Sequence, residues 1–155
     1  MELNSREMWT VIHGMVLGVI FLLAFSGALA EMWSLRPGIT TAAGIKDRMK
    51  RLYVGFGAMA ATTWLTVITG TYIVYPWYRA KLAGPEFAAC AGLELPSTKC
   101  SPRDFILSNA SGSTEGWHSF GMEWKEHVAW LAPLLATSAF LLVLYYGPRL
   151  VARPW

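Results

Sequence analysis

Polar and apolar positions along this chain separate into blocks. Apolar residues gather over Met8–Ala30, Leu52–Tyr75 and Val128–Tyr146, and most charged residues lie between or beyond these runs. Each run is close to the ~20 residues that an α-helix needs to cross a hydrocarbon layer about 30 Å thick. Inside lipid, backbone groups have to bond within their own segment, so helices are the expected form. The pattern predicts an all-α integral membrane protein. It has one membrane domain over residues 1–155, with transmembrane helices at about 8–30, 52–75 and 127–146 and an outer loop over about 76–126.

Local signals refine these elements. Ala28-Leu29-Ala30 resembles a signal-cleavage site, but the lead before Met8 has no positive excess and the apolar run is long for a signal peptide. The first run is therefore expected to remain as a membrane helix. Gly14 and Gly18, and the small residues Gly55, Gly57, Ala58, Ala60 and Ala61, suit close helix contact. Pro76–Glu126 shows no strongly periodic segment, and Ser108–Ser113 reads as a turn-rich linker. The third helix is expected to begin within Ser119–Glu123. Pro133 lacks an N–H and crowds the carbonyl of Ala129, which predicts a kink close to His127.

Charge adds orientation. Only 15% of residues are charged, against about 25% in ordinary soluble domains. The net charge of +3 follows the connections and gives no reason to expect nucleic-acid binding. Arg36, Lys46, Arg48, Lys50 and Arg51 crowd the first connection, and Arg149 and Arg153 follow the last run. Basic residues favour the cytoplasmic side, where they also meet anionic lipid head groups. The expected location is a bacterial-type inner membrane, with the N-terminus and the long second connection periplasmic and the C-terminus cytoplasmic. Cys90 and Cys100 both lie in that second connection, where an oxidising compartment allows them to form a disulfide staple.

Candidate chemistry concentrates in Trp117–Trp130, at the mouth of the third span. His127 lies near the outer start of that span and His13 near the outer start of the first. Both helices run inward, so the two histidines are expected at similar depth, where they can clamp one b-type haem as axial ligands. Glu123 precedes His127 by one helical turn and suits an orienting partner, and Trp130 suits a wall of the site. A second reading gathers Glu123, Glu126, His127 and His118 around a metal ion. A third places a quinone against His127 or His118 with Trp124 and Trp130 on its ring. His118 precedes His127 by nine residues, which on one continuous helix puts it on the opposite side.

No nucleophile elbow, phosphate-cradling glycine loop or His-Glu-x-x-His motif appears, so no catalytic residue is assigned. The expected function is that of a small membrane subunit in a respiratory or photosynthetic electron-transfer complex. It would pack against other membrane subunits and pass electrons to or from a quinone or a periplasmic carrier. The rival is a cofactor-free accessory subunit that stabilises a larger assembly.

Overall fold

The computed structural model describes residues 5–35, 42–79 and 101–152. All regular structure among them is helical. Helix α1 (Ser5–Val11) passes through a π-helical turn (Ile12–Val16) into α2 (Leu17–Ser34). Helix α3 (Ala42–Thr69) passes through a second π-helical turn (Gly70–Val74) into the short α4 (Tyr75–Tyr78). Then follow α5 (Pro102–Asn109), α6 (Gly112–Val128), α7 (Leu131–Tyr146) and a 3-10 turn (Gly147–Ala152). Among the described residues, three stretches are long and apolar enough to cross a membrane: Ser5–Ser34, Gly44–Tyr78 and Gly112–Leu150. This is a multi-pass membrane protein in the making of its helices, as the blocks of apolar residues predict. Cys90 and Cys100, with the expected disulfide, lie outside the described residues.

The third helical stretch corrects the expected start within Ser119–Glu123: helix begins at Gly112, and α5 forms where an irregular loop was expected. Local capping explains both. Ser101 stands in extended conformation, and its hydroxyl accepts the Asp104 N–H at 3.2 Å, with Pro102 in the first turn. Ser111 is likewise extended and opens α6. Of the expected Ser108–Ser113 linker, Ala110 and Ser111 alone stay outside helix. Gly116 and Gly121 lower the helix propensity of α6 and mask it in the sequence. The predicted disturbance near His127 is present as a turn at Ala129–Trp130, one turn before the fully buried Pro133.

Backbone contacts divide the chain into two compact units, Met1–Thr10 with Ile68–Ala129, and Val11–Val67 with Trp130–Trp155. In the second, α3 packs against both α2 and α7. Its side facing α2 is small: a Cβ on Gly55 would meet Ala28 Cβ at 3.3 Å and the Ala24 carbonyl at 3.5 Å. Toward α7, Gly57 admits the Phe140 ring, and Trp64 Nε1 donates to Thr137 Oγ1 at 3.0 Å. Around these contacts Leu52, Phe56, Met59, Ala136 and Val143 form the core. Arg51 donates to the Glu31 carboxylate, joining the last turn of α2 to the first half of α3. Thr62, Thr63 and Thr66 return their hydroxyls to carbonyls one turn earlier, which satisfies them without water.

Exposure is inverted relative to a soluble fold. Leu22, Leu23, Val54, Leu65 and Leu135 stand outward, each at least half exposed. Within the apolar windows, 33% of the second stretch is buried, against 11% of the first and 17% of the third. The middle span is thus the packing centre, and the outer two offer apolar surface to lipid or to other chains.

Candidate functional site

The chemistry predicted for Trp117–Trp130 falls mostly on α6, in the first unit. One side of this helix meets the end of the second span. The Tyr78 hydroxyl and His118 Nε2 share a hydrogen bond, and the two rings stack with centroids 5.9 Å apart and an interplanar angle of 27°. Two turns further on, Glu126 lies 3.7 Å from Arg79 Nη1. Arg79 also donates to the Tyr75 hydroxyl, and its guanidinium lies 5.4 Å from the Tyr75 ring centre. That hydroxyl, followed by nearby negative charge including Glu126, holds the Arg79 guanidinium above its ordinary range, so it stays cationic. His118 and Glu126 are therefore braces between helices.

His127 occupies the opposite side of α6, as its nine-residue spacing from His118 requires on a continuous helix. Its side chain is 75% exposed. Nδ1 lies 2.7 Å from the Glu123 backbone carbonyl. A carbonyl only accepts, so Nδ1 donates in this bond, which leaves Nε2 as the other ring nitrogen. Glu123 does orient the imidazole, but through its backbone. Its carboxylate oxygen is 3.7 Å away, beyond hydrogen-bond length.

The remaining predicted residues belong to the second unit. His13 sits half-buried in the π-helical turn Ile12–Val16. Such turns inside α-helices recur at functional sites. Trp130 meets the Trp64 ring edge-on at 6.3 Å, so part of its surface serves packing.

The four-residue metal site is not assembled: among the described residues no group of three or more His, Cys, Asp or Glu side chains is placed to hold an ion. Glu126 is drawn toward Arg79, and His118 toward Tyr78, on the side away from His127. Sequence reasoning missed Tyr75, Tyr78 and Arg79 as the partners of these two residues. They read as an aromatic belt with a basic anchor, and no spacing along one helix signals a pairing made across two. No family model, curated protein or solved structure matches the chain.

Proposed function

We propose that this chain is a small, non-catalytic membrane subunit of an electron-transfer complex, holding one b-type haem through His127. The observation that carries the reading is the state of that imidazole. Nδ1 is committed to the Glu123 carbonyl, and Nε2 of the exposed ring is the nitrogen left to bind a metal. Haem iron takes histidine through such a nitrogen, and a hydrogen bond on the other nitrogen strengthens the ligand. His13 is the proposed second axial ligand, because the order of the spans directs it and His127 toward the same membrane face. Its π-helical turn is a second supporting feature. The haem would exchange electrons with a quinone or a periplasmic carrier. The charge bias of the connections supports an outer, periplasmic position for this end of the molecule.

A second reading, a cofactor-free subunit that stabilises a larger membrane assembly, is favoured by a different observation. His127 stands on the side of α6 away from His118 and Glu126, the residues that brace this helix within its unit. The broad apolar exposure of the first and third spans also suits docking to other subunits. Reduced-minus-oxidised spectra of the purified chain separate the two. The haem reading expects a b-type band that His127→Ala abolishes and His118→Ala retains. A band that survives His127→Ala removes the ligand assignment, and a well-folded sample with no band favours the cofactor-free subunit.

A further inference from the structure

Helix α3 carries Lys46, Lys50, Tyr53 and Gly57 on one side, at successive spacings of four, three and four residues. That side faces α7. Gly57 meets the Phe140 ring, and the Tyr53 hydroxyl reaches the end of α7, 3.0 Å from where a Cβ of Gly147 would stand. There the chain turns into Gly147–Ala152, which carries the exposed Arg149, while Leu150 packs against the core that holds Met49 and Leu52. Lys46 and Lys50 are exposed as well. Two elements of the second unit thus gather three cations near one aromatic hydroxyl.

Among the described residues no carboxylate forms an ion pair with any of the three. Glu31 is taken by Arg51, about 200° around α3 from Tyr53. Asp47 stands about 40° around the helix from Arg51 and about 60° from Lys50, so the side toward α7 keeps a positive excess. Depth matches the charge. Lys50 and Lys46 precede Leu52, where the apolar run begins, by two and six residues on the same helix, or roughly 3 and 9 Å at 1.5 Å per residue. The interfacial layer extends about 5–8 Å beyond the hydrocarbon, and the flexible stems of lysine carry their ammonium groups to its phosphates. A tyrosine at this level sets its ring against the acyl chains and its hydroxyl among the head groups.

We propose that Lys46, Lys50, Arg149 and the Tyr53 hydroxyl form a binding site for the head group of an anionic phospholipid. Tyr53 donates to a phosphodiester oxygen, and the three cations surround the charge. A zwitterionic lipid brings its own cation to the phosphate and gains less here. Basic residues in a connection attract acidic membranes wherever they stand, but this site is made by the approach of α3 and the turn after α7, and it leaves out Arg48 and Arg51. It requires no haem and uses no residue of the reading of His127.

Native mass spectrometry of the full chain, titrated in detergent with phosphatidylglycerol and separately with phosphatidylcholine, tests it. Phosphatidylglycerol is expected to bind more tightly. Lys50→Gln and Arg149→Gln should each weaken it roughly fivefold, the worth of one charge at a membrane surface, and Tyr53→Phe should weaken it without any change of charge. Arg48→Gln, about 140° from Tyr53 around α3, removes the same charge outside the site and should leave binding nearly unchanged. An equal loss in Arg48→Gln shows diffuse attraction and overturns the site, as does unaltered binding in Lys50→Gln and Arg149→Gln. Displacement of the lipid by an excess of inorganic phosphate assigns the cluster to a soluble anion and overturns the lipid. If a variant loses its helical circular dichroism, the unaltered chain decides, and equal binding of the two lipids overturns the proposal.

Discussion

Tyr78 and His118 bind each other twice, through a hydroxyl–imidazole hydrogen bond and through stacked rings. The pair fastens the last turn of the second span to α6, and Arg79 with Glu126 repeats the connection nearby. Tyr78→Phe keeps the stack and removes the bond. Its expected cost is about 1 kcal/mol, read as a roughly fivefold faster amide exchange across Gly112–Val128. Unchanged exchange would show that the bond does not hold α6.

Gly55 lets α2 and α3 approach to the point where one added carbon is crowded, at 3.3 Å from Ala28 Cβ. Gly55→Leu is expected to destabilise the packed spans by about 1–3 kcal/mol through overpacking, seen as a lower thermal midpoint in detergent. Gly27→Leu meets nothing within 4 Å of its Cβ position and serves as the control. Equal effects of the two would place the sensitivity outside this contact.

Gly147 ends α7 with φ of 48°, and a Cβ there would stand 3.0 Å from the Tyr53 hydroxyl. Gly147→Ala thus combines a positive-φ backbone that favours glycine with a close contact. A loss of about 1–2 kcal/mol is expected, again as a fall in thermal midpoint. Adding Tyr53→Phe should recover only the part due to the hydroxyl.

Orientation is open to direct labelling. With the N-terminus and second connection on the outer side, an impermeant thiol reagent applied from the periplasm after reduction should modify Cys90 and Cys100. Labelling from the cytoplasmic side alone would reverse the topology and place His127 toward the inner face.

The spans were legible because uninterrupted apolar runs of this length have few alternatives, and the Ala129–Trp130 turn was legible because Pro133 cannot donate to the carbonyl four residues before it. Helix α6 was harder to read. Its three glycines and mixed polarity hide a helix whose aromatic residues nonetheless keep helical spacing. The opposite orientations of His118 and His127 followed from spacing alone. The partners of His118 and Glu126 did not, because Tyr78 and Arg79 come from another helix and local sequence carries no record of that approach. Glu123 was expected to orient His127 through its carboxylate, whereas the 2.7 Å contact comes from its backbone carbonyl, a group common to every residue that leaves no mark in the sequence.

Haem content of the full chain, purified from membranes without added cofactor, tests the proposed electron-transfer role most directly. The pyridine haemochrome assay should give one haem b per chain in the unaltered protein and a loss of that haem in His127→Ala. A folded, helical sample with no haem b, or a His127→Ala variant with its full complement, would contradict it.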